Sequence, residues 1–182
     1  MKTLVIITHP NLEQSRINRT WMEELKKHEE ITIHTLYQAY PDGKINVEHE
    51  QSLLAAHDRI ILQFPFYWYS TPPLLKQWQD EVLSYGWAYG EGGDKLHGKE
   101  LGLAISTFGP KDSYQPTGYN HFTMETLTTP LQQTSNLIGT KFMPLFVLNG
   151  VMHVSDEELA ESAKAYVEFV QQPTKIEAPV NA

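Results

Sequence analysis

The chain is expected to fold as an α/β protein with one doubly wound, five-stranded parallel sheet in the order 2-1-3-4-5 and helices on both faces. Three observations lead there. Five apolar runs of strand length alternate with segments of helical period, the pattern of β-α units feeding a parallel sheet. Most of the runs are apolar nearly throughout rather than at every second residue, as strands covered on both faces require. The most unusual loops follow the first, third and fourth runs, and in a sheet of this order those carboxyl ends border the ligand crevice.

Thr3-Leu4-Val5-Ile6-Ile7-Thr8 is the first strand, and Ile17, Trp21, Met22 and Leu25 then recur at helical spacing behind Ser15, a good N-cap. Residues 31–37 alternate as a half-buried or edge strand, and Tyr40-Pro41-Asp42-Gly43-Lys44 reads as a turn. A helix over 47–57 precedes the buried strand Arg59-Ile60-Ile61-Leu62-Gln63. An aromatic loop ends by Thr71, and a helix over 72–83 carries Leu74, Leu75, Trp78 and Val82 on one side, its prolines placed in the first turn.

Residues 85–99 hold five glycines and no period, which reads as a long surface loop serving function or packing on a partner subunit. The fourth strand covers 100–106, and a single helix is expected over 123–138, ending at Gly139. A fifth strand covers 141–148, where Pro144 marks a bulge or an edge. Ser155-Asp156-Glu157-Glu158 is a capping box opening a last helix to about Gln171, and 172–182 read as a loose tail. Neither a repeat nor a linker divides the chain, so a single domain over 1–182 is expected.

Composition narrows the function. At 182 residues, 41% apolar and 20% charged, the chain can bury one full core. No apolar run approaches a membrane span and the N-terminus reads as a strand rather than a leader, so a cytoplasmic location is expected. The absence of cysteine excludes a disulfide, a thiolate nucleophile and a zinc-thiolate centre. A formal charge of -8, with the basic pair Lys26-Lys27 set among Glu23, Glu24, Glu29 and Glu30, argues against nucleic acid as a partner. His28, His34, His49 and His57 are dispersed without metal-ligand spacing, and no metal site is expected.

The loops carry the chemistry. His9, Ser15, Arg16, Ile17 and Asn18 surround the start of the first helix, where free amides and the helix dipole attract a phosphate. The alternative is that Ser15 only caps the helix while His9 and Asn18 serve the local backbone. No G-x-G-x-x-G or Walker A pattern follows this strand, so a dinucleotide-binding fold and a nucleoside triphosphatase are not signalled. Phe64-Pro65-Phe66-Tyr67-Trp68-Tyr69-Ser70 offers ring faces and backbone amides to a planar heterocycle, whereas an isolated aromatic cluster serves more often as core or subunit interface. Its place at the sheet's carboxyl edge, beside a phosphate-ready loop, favours the ligand.

Taken together, His9-Pro10 with Ser15 and Asn18, the stretch from Pro65 to Trp78, Gly86-Trp87-Ala88-Tyr89-Gly90 and Ser106-Thr107-Phe108-Gly109 resemble the flavodoxin-like NAD(P)H:quinone oxidoreductases. The likeness runs from residue 1 to about 171. It is nearest the short bacterial branch of general stress oxidoreductases and accessory subunits of potassium efflux systems. The resemblance implies a flavodoxin-like fold, noncovalent FMN rather than FAD, NADH or NADPH as co-substrate, and two-electron, ping-pong reduction of quinones, nitroaromatics or azo compounds. It also implies a homodimer with active sites at the subunit interface. On its motif positions, His9, Ser15, Arg16, Ile17 and Asn18 hold the phosphate, Pro65, Phe66, Tyr67 and Trp68 border the isoalloxazine, and Ser106, Thr107, Phe108 and Gly109 close the other side with Tyr114.

Two positions depart from the family pattern. Phe108 stands where the strand-four loop usually has its first glycine, so a positive φ there would be strained. Tyr114 matches a tyrosine of the family's charge relay, but the histidine six residues on is Asn120, with His121 beside it, which leaves Tyr114 and His121 as the catalytic candidates. The other reading is a regulatory flavin-fold module that docks on a membrane potassium transporter.

Overall fold

The computed structural model describes residues 1–172. β1 (Thr3–Ile7), β2 (Ile31–Thr35), β3 (Arg59–Pro65), β4 (Glu100–Ser106) and β5 (Lys141–Phe142) form a parallel sheet in the order β2-β1-β3-β4-β5, and β6 (Phe146–Leu148) also pairs with β4. Thr3 lies opposite both Ile31 and Arg59, and Pro65 opposite Ser106, so β3 and β4 end level with each other. β5 and β6 together are the expected fifth strand, interrupted at residues 143–145. Pro144 sits in the gap, where its missing N–H costs the ladder nothing.

Period two along β1 divides the core. Leu4 and Ile6 meet Leu54, Leu62, Leu75 and Trp78, beneath α3 (Val47–Ala56), α4 (Pro73–Val82) and α6 (Thr129–Leu137). Val5 and Ile7 meet Ile17, Trp21, Leu25 and Tyr166, beneath α1 (Arg16–Leu25) and α7 (Asp156–Gln171). Full burial of one such aliphatic side chain is worth about 1.5–3 kcal/mol. At the amino edge, the fully buried Arg59 donates from Nε to Glu100 at 2.6 Å and from Nη1 to the Val170 carbonyl at 2.6 Å, tying β3, β4 and α7 together. The capping box of α7 forms, with Ser155 Oγ accepting from Glu158 N and Glu158 accepting from Ser155 N.

Three expectations need correction. The second strand stops at Thr35, because residues 36–39 close the helical turn α2 (Leu36–Ala39), with Leu36 buried and Tyr40 N donating to Leu36 O at 2.9 Å. The helix expected over 123–138 is two, α5 (Met124–Leu127) and α6, broken at Thr128. Pro130 has no N–H for the Thr126 carbonyl, which accepts from Thr129 Oγ1 at 2.8 Å instead. β3 runs two residues beyond Gln63 because Phe64 and Pro65 pair with Ile105 and Ser106. The segment 85–99 is the expected surface loop, anchored at two points. Ala88 and Leu96 are buried in the core, and Gly86 N donates to Tyr89 O at 2.8 Å. The expected tail lies, apart from Gln172, outside the described residues. Among the described residues no helix is long and apolar enough to cross a membrane.

Candidate functional site

At the carboxyl edge, three loops meet as the strand order requires. The first follows β1. Ser15 Oγ accepts from Asn18 N at 3.2 Å and caps α1, while the amides of Arg16 and Ile17 have no acceptor among the described residues. Asn11 N donates to His9 Nδ1 at 3.1 Å, so the neutral imidazole carries its proton on Nε2. Burial holds the His9 pKa below its ordinary value and keeps that neutral form near pH 7. The Arg16 side chain turns away, its guanidinium donating to the Val154 carbonyl at 2.8 Å and to Asp156 at 2.6 Å. Ile17 is packed in the core, so both residues offer only their amides.

Beneath this loop lies a buried polar floor. Gln63 Nε2 donates to Asn18 O at 3.0 Å and to Asn18 Oδ1 at 3.3 Å. Asn18 Nδ2 in turn donates to Ser106 Oγ at 3.0 Å and to Ser15 Oγ at 3.3 Å. This chain of bonds joins α1, β3 and β4 at the crevice. Thr8 Oγ1 and Gln63 Oε1 are buried there without a partner among the described residues, and an orphaned polar atom in a native interior calls for one.

The second loop follows β3. Phe66 N donates to Ser106 O at 2.9 Å, and Ser70 N to Tyr67 O at 2.9 Å, closing a tight turn. Its central residues Trp68 and Tyr69 have φ of 49° and 61°, as in the primed turns that ordinarily take Asn and Gly. Each left-handed residue costs roughly 1–2 kcal/mol. That strain aims the rings. Tyr69 donates to Asn120 Oδ1 at 3.1 Å, and His9 meets Tyr67 edge-on at 6.4 Å between centroids, joining the two loops. Burial, with a smaller contribution from Tyr37, raises the Tyr67 pKa and keeps its hydroxyl protonated.

The third loop follows β4. Thr107 is buried, donating from Oγ1 to Gly109 O and to Asn149 Oδ1, each at 2.9 Å. Phe108 is outside the positive-φ region, so the strain expected there does not arise. Gly109 is the position that tolerates no side chain, since a Cβ would come within 3.0 Å of the Tyr114 hydroxyl and 2.9 Å of Ser113 Oγ.

Between the second and third loops opens a cleft of about 580 Å³ lined by Phe66, Trp68, Tyr69, Phe108, Tyr114 and Tyr119, and no charged residue lines it. Phe66 and Tyr114 approach to 6.5 Å between centroids. Pro65, Ser106 and Thr107 are buried at the strand ends beside it. His121 is exposed, at φ 60°, and does not line the cleft. A second cavity, between α3, α4, α6 and the sheet, holds about 20 Å³ among apolar side chains and is a packing gap. Among the described residues no acidic or histidine cluster could hold a metal.

Gln63, Thr8, Ser113 and Tyr119 were not anticipated, whereas Tyr69 belongs to the aromatic stretch that was. A glutamine ending an apolar strand was the available signal for the first. Nothing local marks Ser113 or Tyr119, whose place depends on how residues 107–120 fold back.

Unpaired amides beside an orphaned buried hydroxyl suit a phosphate ester, the Gln63 carbonyl oxygen suits a hydroxyl donor such as a polyol, and an uncharged aromatic cleft next to them suits a planar heterocycle, so the residues fit FMN. The general stress protein 14 of Bacillus subtilis is 52% identical over 173 residues, spanning 95% of this chain and 99% of its own. An NAD(P)H oxidoreductase of the same organism, described as uncharacterized, is 53% identical over 171 residues, 94% of this chain and 98% of its own. The solved general stress protein 14 of Treponema denticola in complex with FMN superposes with a TM-score of 0.90 at 38% identity, covering 93% and 98% of the two chains. An NADPH-quinone reductase from P. pentosaceus superposes at 0.88 with 33% identity, covering 95% and 99%. The family model of the flavodoxin-like fold matches residues 1–170, and the chain belongs to that family.

Proposed function

We propose that this chain is an FMN-dependent oxidoreductase that takes a hydride from NADH or NADPH and delivers two electrons to a quinone. The observation that carries the reading is the adjacency of two complementary sites: unpaired amides over a buried polar floor, and an uncharged aromatic cleft. The FMN complex and the NAD(P)H-linked names among its relatives support it.

His9 Nε2–H, the amides of Arg16 and Ile17, and the Ser15 and Thr8 hydroxyls hold the phosphate, while Gln63 orients Asn18 below them. Pro65, Phe66, Tyr67 and Trp68 would border the ring system from the loop after β3, and Thr107, Phe108, Gly109 and Tyr114 from the loop after β4. When bound, FMN supplies a ring that accepts a hydride and returns it to a second substrate. Donor and acceptor share one cleft and enter in turn. The acceptor gains a hydride and one proton, for which the Tyr114 hydroxyl is the donor within the cleft, re-protonated from water. No role falls to His121. The exposed rings of Tyr85 and Phe122, outside the cleft, support a homodimer.

The test is to add FMN, desalt, and record an absorbance spectrum before and after anaerobic NADH or NADPH. A retained flavin band that bleaches supports the reading and selects the donor; a protein that retains no flavin overturns it.

A further inference from the structure

We propose that Phe108 is a specificity-determining residue, which with Trp68 and Tyr119 makes the cleft mouth select neutral, fused-ring aromatic acceptors over single-ring or anionic ones. The inference rests on the oxidoreductase reading and concerns the second substrate of that site. Trp68, Phe108 and Tyr119 are 93%, 76% and 86% exposed, and all three line one cleft. Single exposed apolar residues are ordinary, but three large rings around one opening form a contact surface.

The fold makes no demand for a phenylalanine at this place. Position 108 lies outside the positive-φ region and its side chain is mostly in water, while the neighbouring Gly109 provides the close approach to Tyr114. The usual glycine of the resembling family could therefore stand at 108 without loss of packing, and the ring's remaining consequence is at the cleft mouth.

Charge decides the ligand class. None of the cleft's lining residues is ionisable to a cation, and the nearby Lys111, Asp112 and Glu125 line a separate groove on the other side of Tyr114. An anionic substituent entering the mouth is desolvated with no cation to pair it. A neutral ring system loses little and gains stacking on each face it covers. Phe66, Phe108 and Tyr114 line one cleft, Phe66 and Tyr114 meeting at 6.5 Å between centroids, and a fused pair of rings offers more face to these side chains than a single ring does. The reaction is balanced by the proposed activity: NAD(P)H gives a hydride and becomes NAD(P)+, and the quinone takes that hydride plus one proton and becomes the hydroquinone.

The experiment compares wild type, Phe108→Gly and Phe108→Leu with FMN added and one donor fixed, using 1,4-benzoquinone, 1,4-naphthoquinone and 1,4-naphthoquinone-2-sulfonate as acceptors. The readout is the ratio of kcat/KM between acceptors, which is independent of how much flavin each variant retains. The wild type is expected to favour naphthoquinone over its sulfonate by roughly tenfold or more. In Phe108→Gly the naphthoquinone-to-benzoquinone ratio falls roughly 3- to 10-fold, the size of one lost stacking contact, with Phe108→Leu between. An unchanged ratio in Phe108→Gly, or a wild type that prefers the sulfonate, overturns the proposal. So does conversion of Phe108→Gly to a monomer in light scattering, which makes the ring an interface residue. A wild type that retains no flavin overturns the oxidoreductase reading itself, an outcome the spectrum distinguishes from a failure of Phe108.

Discussion

Glu50 and Trp68 invert the usual rule of burial in opposite ways. Glu50, on α3, is a carboxylate with no exposed surface, and Trp68 is a large apolar residue 93% in water. Around Glu50 the protein itself serves the carboxylate: Tyr40 donates at 2.6 Å, Trp78 Nε1 at 2.8 Å, and His34 Nε2 sits 2.8 Å away without hydrogen-bond geometry. Burial works to raise the Glu50 pKa, but these donors together outweigh it and hold the carboxyl below its ordinary value. Around Trp68 little is met, since the backbone is left-handed and the ring has no cover. The first region is complete within the protein, and the second is complete only with something bound.

Removing Glu50 tests the first half of that contrast and carries the largest expected effect. Glu50→Ala leaves two buried donors, the Tyr40 hydroxyl and Trp78 Nε1, without an acceptor and lowers stability by about 3–5 kcal/mol. Urea titration measures it, and a loss under about 1 kcal/mol refutes the account. The pH dependence follows from the same group. Its folded pKa is depressed, so its contribution is present above the ordinary value of 4.5 and is lost as pH falls through the lower folded value. Glu50→Gln is expected to remove that part of the acid dependence.

Gln63 lies between the extremes, half satisfied by Asn18 and half orphaned. Gln63→Leu leaves the Asn18 carbonyl and side chain without their buried donor, lowering stability by about 1–3 kcal/mol and FMN affinity about tenfold. Flavin titration and a thermal melt check both. Equal affinity in the two proteins removes the floor from the site.

Trp68→Gly is the smallest effect and the sharpest contrast. Relief of the left-handed backbone raises stability by about 1 kcal/mol while loss of the ring weakens flavin retention. Lower stability with full retention is the opposite result. It would mean that the turn, not the ring, is what the molecule needs.

Features decided by near neighbours were legible in the sequence. The apolar runs of β1, β3 and β4, the caps at Ser15 and Ser155, and the break at Pro144 depend on side-chain period, one hydrogen bond or a missing N–H. Features decided by distant partners were not. The turn α2 is held where Tyr40 reaches Glu50, ten residues on, and residues 85–99 are ordered because Ala88 and Leu96 fill the core. Asn120 and His121 are adjacent in sequence, yet one lines the cleft and the other faces water.

The sequence by itself determined the order of elements, the parallel sheet and which three loops meet, because hydrophobic period and crossover handedness are local rules with few solutions. It also determined the residue types available at the site. Only the tertiary structure decided which of them act together. The buried floor joining Gln63, Asn18 and Ser106, the left-handed turn that exposes Trp68, and the freedom of Phe108 all arise where β1, β3 and β4 end side by side. Hydrogen-bond satisfaction and burial belong to that assembled space, and residues far apart in sequence set them jointly.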